Sequence, residues 1–291
     1  MSAPPQLFDW TLRRGRLERA MRGNHTADFL RRRVAEDMAS TLMGIVRDFP
    51  EGVDLSARDR MFERALAEAG GAARVCKWRR MDQTGEGLDS LQDNEVPALA
   101  EGSADLVVSL LSLHWTNDLP GVLSQIRRSL RPDGLFIGSL FGGASLNELR
   151  WALGRAETEL TGGQATRVSP FADAFDGAGL LQRAGFALPV SDIDRLTVTY
   201  ADPLALIRDL RAMGETALFA ERQRPLTRAV VARMAGLYAE RYADQDGRIP
   251  ATFEIVTLSG WAPHPNQQKP LRPGSAKMRL SDALGVEEGK L

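Results

Sequence analysis

The sequence predicts an α/β protein on one mostly parallel, seven-stranded sheet with an antiparallel edge strand. Three observations carry this. Short apolar runs alternate with amphipathic stretches of helical period through the middle of the chain. Leu106 to Leu111 is almost continuously apolar, as a strand covered on both faces requires. The turn Arg131-Pro132-Asp133-Gly134 separates an amphipathic helix from the apolar run Leu135 to Phe141, which completes one strand–helix–strand crossover.

The elements follow in order. Residues 6–48 read as arginine-rich helices. Phe8, Leu12, Leu17 and Met21 give a rough apolar stripe, and Val34, Met38, Leu42 and Ile45 a clearer one. Arginines cluster at Arg13, Arg14, Arg16, Arg19 and Arg22, and again at Arg31, Arg32 and Arg33. Interleaved acids (Glu18, Asp28, Glu36, Asp37) favour a solvated helix face over a patch for an anionic partner or a membrane surface. Pro50-Glu51-Gly52 is expected to end this region, with a first strand at Gly52-Val53-Asp54-Leu55 and a helix over 59–69 closed by Gly70-Gly71. Residues 72–78 are expected as the second strand, with a polar segment from Gln83 to Gly102. The helix after the Leu106 strand places Leu119, Val122, Leu123, Ile126 and Leu130 on one stripe. Ser145-Leu146-Asn147-Glu148 reads as a capping box for the next helix. A short helix over 176–184 leads into a strand over 188–200. Helices over 203–214 and 226–243 and a strand over 252–258 complete the order. Tyr238 and Tyr242 share a helix face, and packing is their expected role.

The bulk numbers bound the function. A length of 291 residues with 43% hydrophobic content supports one full core with appendages. The expected division is a helical segment 1–48, a main domain 49–262 with an inserted helical cover at about 145–245, and a mobile tail 263–291. A net charge of -1 gives no reason to expect a nucleic-acid partner. The single cysteine, Cys76, excludes an internal disulfide and is expected to be buried in a reducing, cytoplasmic compartment. No apolar leader or run long enough to span a bilayer is visible. The three histidines, His25, His114 and His264, have no spacing that suggests an iron site.

The pattern Asp105-Leu-Val-Val-Ser, Leu113-His114-Trp115, Asn117-Asp118-Leu119-Pro120, Pro132-Asp133-Gly134 and Phe141-Gly142-Gly143 resembles one branch of the class I S-adenosylmethionine (SAM) methyltransferases. That branch holds the mitochondrial complex I assembly factor of methyltransferase fold and its bacterial relatives. Ser169-Pro170-Phe171, Met213-Gly214-Glu215 and Asp246 to Thr252 extend the likeness over roughly residues 6–285. Malonyl-carrier methyltransferases are similar more loosely. The resemblance implies a Rossmann-like class I methyltransferase fold with SAM at the strand ends. It also implies a protein partner in respiratory-chain assembly, an iron–sulfur subunit of complex I in the relatives. Work in the cytoplasm, in peripheral contact with the inner membrane, follows as an expectation. Three activities stay open: methyl transfer, a cofactor-poor assembly factor, and hydroxylation of a protein arginine.

One segment conflicts with the likeness. The branch normally ends its first strand in Asp-Leu-Gly-x-Gly-x-Gly, where this chain reads Asp54-Leu55-Ser56-Ala57-Arg58-Asp59-Arg60. Glycine there lets the backbone turn through positive φ and touch the ligand. An L-residue in the left-handed region costs about 1–2 kcal/mol. Either the loop has rearranged, with Arg58 or Arg60 paired to an acid such as Asp82 or Asp93, or the arginines point outward and SAM still binds. The residues implied to hold the cofactor are Asp54, Leu55, Ser56, Ala57, Arg58, Asp82 (ribose), Asp93 (adenine), Ser109, Leu110 and Leu111. His114 and Trp115 follow the fourth strand, where substrate meets cofactor. A histidine there suits a general base and a tryptophan suits shielding or stacking, and a structural lid is the competing reading.

Overall fold

The computed structural model describes residues 6–23, 25–91, 95–171, 176–221 and 223–267. Seven strands run β1 (Phe49–Asp54), β2 (Val75–Asp82), β3 (Ser90–Leu91), β4 (Ala104–Ser109), β5 (Leu130–Phe141), β6 (Ala187–Tyr200) and β7 (Ile249–Trp261). Eight α-helices are α1 (Trp10–Met21), α2 (Phe29–Met43), α3 (Met61–Glu68), α4 (Leu119–Ser129), α5 (Asn147–Thr161), α6 (Gly177–Arg183), α7 (Pro203–Met213) and α8 (Arg228–Tyr242).

The strands lie in one sheet in the order β3-β2-β1-β4-β5-β7-β6. Pairings among β3, β2, β1, β4 and β5 are parallel, while β7 runs antiparallel to both β5 and β6. The antiparallel strand therefore sits one place in from the edge, because the chain returns through β7 into the gap between β5 and β6. From β1 the chain winds outward through β2 and β3, then crosses back to β4 and proceeds the other way. That reversal makes a switch point between β1 and β4, where the carboxyl ends of neighbouring strands diverge and open sheets hold ligands.

Two apolar layers cover the sheet. Leu106 and Val108 of β4 face a core shared with α2, α3, α5 and α8, while Val107 faces a second core with Val122, Leu123 and Ile126 of α4 and Leu181 of α6. Burial on both faces is why β4 has no polar–apolar alternation. Each fully buried Leu, Val or Phe contributes about 1.5–3 kcal/mol of hydrophobic stabilisation. Leu30, Val34, Met38 and Leu42 of α2 belong to the first core, so the amino-terminal helices pack as part of the sheet's cover.

Several local expectations are corrected. Pro50 and Gly52 do not break a helix; they lie in β1, with Pro50 near its open start, before pairing with β4 begins at Gly52. β2 begins at Val75, after a short 3-10 turn at Ala72–Arg74. Cys76 is exposed on β2. In the β5 entry turn, Asp133 takes the left-handed conformation (φ 60°) and Gly134 does not. No capping box forms at α5. Ser145 Oγ donates to Glu254 O at 3.0 Å and accepts from Glu254 N, while Glu148 accepts from Thr252 N and Oγ1, so both side chains clamp β7. The tail residues 268–291 lie outside the described residues. No helix among the described residues is long and apolar enough to cross a membrane.

Candidate functional site

The site forms where β1, β2 and β4 end. Asp54 closes β1, and the next residues turn back under β4: Leu55 N–H donates to Val108 O at 2.9 Å. Asp54 Oδ1 accepts from Ser56 N and from Ser56 Oγ, both at 2.8 Å, and Ser56 Oγ accepts from Leu110 N at 2.7 Å. The serine hydroxyl thus ties the two strand ends together. Ala57–Asp59 form one 3-10 turn. Of the three residues filling expected glycine positions, only Arg60 has a left-handed backbone (φ 53°), and Ser56 has an ordinary negative φ. Asp82 ends β2, where its carboxylate accepts from Arg58 N at 3.2 Å and from Gln83 N at 2.7 Å.

The two arginines of the turn part company. Arg58 is buried, with its guanidinium Nη1 3.6 Å from Asp82 Oδ2. Arg60 is exposed. The 83–87 segment closes over Arg58: Gly85 has φ +144°, and a β-carbon there would fall 2.7 Å from Arg58 Cα. Asp93 lies outside the described residues.

Two more arginines, both on the helices expected to be solvated, reach the same place. Arg31 of α2 is buried and donates to Asp59 Oδ1 at 3.0 Å and to Leu110 O at 3.2 Å. Arg13 of α1 is 1% exposed, donates to Ser112 Oγ at 3.1 Å, and lies over the Trp10 and Trp115 rings. Burial, with Arg58 and Arg31 nearby, lowers Arg13 to about 10 against the pull of Glu215. The segment before α1 is pinned to the body: Leu7 N and Phe8 N donate to Asn117 Oδ1, and Asp9 N to Leu218 O.

Beyond β4, Leu111 adopts φ 45° and its N–H is taken by Ser139 Oγ at 3.0 Å. A backbone strained in this way is typical beside functional residues. A 3-10 turn over Leu113–Trp115 then presents His114 and Trp115, both buried. Each is held by one residue that sequence reasoning did not single out. Glu215 Oε2 lies 2.9 Å from His114 Nε2 and accepts from Trp115 Nε1 at 2.7 Å. Local chemistry delivers Glu215. Gly214, at φ 79°, ends α7 in a Schellman turn, with Gly214 N bonded to Arg211 O and Glu215 N to Leu210 O.

Burial alone would raise Glu215, but His114 and then Arg13 and Arg58 outweigh it and hold the carboxyl down at about 2. Burial lowers His114 below its usual range despite Glu215. The arrangement is therefore a neutral imidazole against an anion. A carboxylate only accepts, so the ring proton sits on Nε2 and Nδ1 is left as a buried acceptor. Nδ1 has no partner among the described residues, and the same holds for Glu215 Oε1, Asp54 Oδ2, Ser109 Oγ and Gln83 Oε1. Buried polar atoms without partners are rare and mark sites that expect a ligand or water.

Asp54 is raised to about 7, mainly by burial, with Ser56 opposing and Asp82 adding. Its folded value exceeds its unfolded one, so its ionisation weakens the fold as pH rises from about 4 to 7 and the penalty is complete above that. We expect Asp54→Asn to gain about 1–2 kcal/mol at pH 8, with the gain vanishing near pH 4. Urea unfolding at the two pH values measures this, and an equal effect at both would sink it.

A cavity of about 740 Å³ reaches Trp115, Phe171 and Glu215 from the side of α1, α5, α7 and α8. None of Asp54, Ser56, Arg58 or Asp82 lines it. Among the described residues, no group of three His, Cys, Asp or Glu side chains is placed to hold a metal ion.

This sheet order, with acidic ends on β1 and β2 beside the β1–β4 switch, defines a class I methyltransferase-fold protein, and residues 52–138 match the family model described as a methyltransferase domain. The YcgJ protein of Bacillus subtilis is similar in fold, with a TM-score of 0.51 at 12% identity over 78% of this chain and 99% of that one. The mitochondrial arginine-hydroxylase NDUFAF5 of Danio rerio is 37% identical over 91% of this chain and 84% of its own length, and that of Homo sapiens 35% identical over 95% and 83%. The chain belongs to the family of these NDUFAF5 proteins. A malonyl-[acyl-carrier protein] O-methyltransferase of Laribacter hongkongensis is 39% identical over 62% of this chain and 59% of its own.

Proposed function

We propose that this chain binds S-adenosylmethionine at the ends of β1, β2 and β4 and acts on a protein partner of respiratory-chain assembly, an iron–sulfur subunit of complex I by the likeness to its relatives. The observation that carries the reading is the cluster of buried, unpartnered acceptors at those ends: Asp54 Oδ2, Gln83 Oε1 and Ser109 Oγ beside the Asp82 carboxylate. Such acceptors suit the hydroxyl and amino donors of a nucleoside. Bound there, the cofactor supplies an activated methyl group on a sulfonium. The chain's own residues supply the rest. Asp82 holds the sugar hydroxyls once the Arg58 guanidinium moves off it. Arg13, whose Nε has no partner among the described residues, offers a cation to a carboxylate. His114 keeps Nδ1 free to take a proton at neutral pH, and Trp115 and Phe171 exclude water. Proximity and orientation account for most of the acceleration.

Two other readings have their own support. The Arg58–Asp82 pair favours an assembly factor that keeps the fold and has given up the cofactor. The relatives' name favours hydroxylation of an arginine on the partner. The place of work in this proposal is the cytoplasmic side, without a basic membrane anchor. Arg14 and Arg33 pair with Glu18 and Asp37 one turn along their own helices, which reduces the free charge these helices offer to lipid.

Calorimetric titration with S-adenosylhomocysteine decides between the first two readings. Micromolar binding is expected, and no heat at millimolar ligand overturns the cofactor reading. Mass spectrometry of the partner subunit from a deletion strain addresses the third: a tryptic peptide lighter by one oxygen would replace methyl transfer with hydroxylation.

A further inference from the structure

The cavity beside His114 and Trp115 has a chemistry of its own. Its volume, about 740 Å³, lies within the range of small-molecule sites. Its body is apolar, with Leu149 and Leu153 of α5, Ile207 and Leu210 of α7, and Val231 and Met234 of α8 on the wall. Four arginines also line it; Arg167 is paired with Glu157, which leaves three, Arg16 and Arg19 of α1 and Arg211 of α7. None of the three forms an ion pair with a described carboxylate. Arg16 donates only to neutral oxygens of Thr216 and Ala217, and Arg19 to Gly15 O of its own helix. Their charges feel one another, since Arg16 is lowered by burial first and then by Arg19 and Arg211, with Asp9 opposing. Two acids also line the cavity. Glu221 is exposed, and Glu215 is already engaged by His114 and Trp115.

We propose that this cavity binds a long-chain fatty carboxylate, its alkyl chain along the α5–α7–α8 wall and its head among Arg16, Arg19 and Arg211. A neutral head would leave three clustered guanidinium groups unmatched, and a cationic one would be repelled. The far end of the chain would reach Trp115 and Phe171, which gives a bound ligand a direct contact with the residues that hold His114. The inference goes beyond the cofactor reading and does not rest on it, because no strand-end residue of that site lines the cavity.

The test uses the full chain and cis-parinaric acid, a fluorescent fatty acid, displaced by palmitate or by hexadecanol of the same chain length. Saturable uptake is expected, with hexadecanol about tenfold weaker than palmitate because it lacks the charge-assisted contacts. Arg19→Gln combined with Arg211→Gln is expected to weaken palmitate by about tenfold and leave hexadecanol unchanged. Ile207→Trp, which fills the wall, is expected to abolish uptake of both. Thermal unfolding checks each variant, and the two exposed arginine changes decide the matter if Ile207→Trp does not fold. Equal affinity for the acid and the alcohol, no effect of the arginine changes, or no saturable uptake would each overturn the proposal. Titration with S-adenosylhomocysteine on the same samples keeps this outcome separate from that of the cofactor site.

Discussion

Replacing Glu215 by alanine is expected to cost about 3–5 kcal/mol of stability at pH 7, the range for removing one partner from a buried charge cluster. Among the described residues, the carboxylate is the sole hydrogen-bond partner of both His114 Nε2 and Trp115 Nε1, and it is the strongest favourable charge on Arg13. Without it, two buried ring donors lose their acceptor, and the Arg13 guanidinium, in a shell that also holds Arg58 and Arg31, loses its nearest counter-charge. Glu215→Gln keeps the shape and one acceptor but no charge, so it should fall between wild type and alanine. The pH dependence separates charge from packing. Glu215 lies at about 2 when folded against an ordinary 4.5, so its contribution is present above pH 4.5 and is lost as pH falls toward 2. His114 is lowered, so unfolding takes up a proton below about pH 6.5 and stability falls there too. Urea unfolding from pH 7 to pH 3 should show wild type losing stability on both grounds, while Glu215→Ala lacks the lower part of that slope. An alanine variant within about 0.5 kcal/mol of wild type would mean that the cluster does not hold the site together.

The uneven legibility of this chain follows from which forces act locally. The unit β4–α4–β5 was readable because burial on both faces forces an apolar run and a one-sided helix forces a stripe, and both patterns are written in consecutive residues. Ser145 and Glu148 misled for the opposite reason. Their spacing fits a local cap, but their partners are on β7, more than a hundred residues away in sequence. Arg13 and Arg31 were hidden among seven arginines on two helices, yet a signal was present. Arg31 precedes Val34 and Met38 at stripe spacing, and Arg13 precedes Leu17 at i,i+4, so each sits on the apolar side of its helix. A cation at a stripe position either faces a counter-charge inside or denies the stripe, and here the counter-charges Asp59 and Glu215 come from elsewhere in the fold. Glu215 itself was part of a recognisable Met213-Gly214-Glu215 turn, but nothing local tells that the residue after the helix-ending glycine points at His114. Cys76 shows the limit of strand reasoning near an edge. β2 is flanked on one side by a strand of only two residues, and an apolar neighbourhood in sequence did not become a covered face.

Arg58→Ala is expected to tighten binding of S-adenosylhomocysteine by roughly ten- to hundredfold, since hydrogen bonds to charged groups contribute about 1.5–3 kcal/mol each. The guanidinium stands 3.6 Å from Asp82 Oδ2, the carboxylate best placed for sugar hydroxyls, so ligand and arginine compete for one acceptor. Asp82 keeps the backbone N–H groups of residue 58 and Gln83 in the variant, so the loop retains its frame. The ligand-free variant should be less stable, with a buried carboxylate deprived of its cation, and ligand should restore more stability than it adds to wild type. The three glycine positions are then separable. Arg60→Gly relieves a left-handed L-residue and should gain about 1 kcal/mol of stability without changing affinity. Ser56→Gly should weaken the protein, because that hydroxyl joins Asp54 to Leu110 N–H and its backbone needs no glycine. Asp82→Asn should remove the gain from Arg58→Ala, which a double-mutant cycle measures directly. Calorimetry on these four variants locates the obstruction in a side chain and not in the backbone: an affinity gain from Arg60→Gly with none from Arg58→Ala would reverse that assignment.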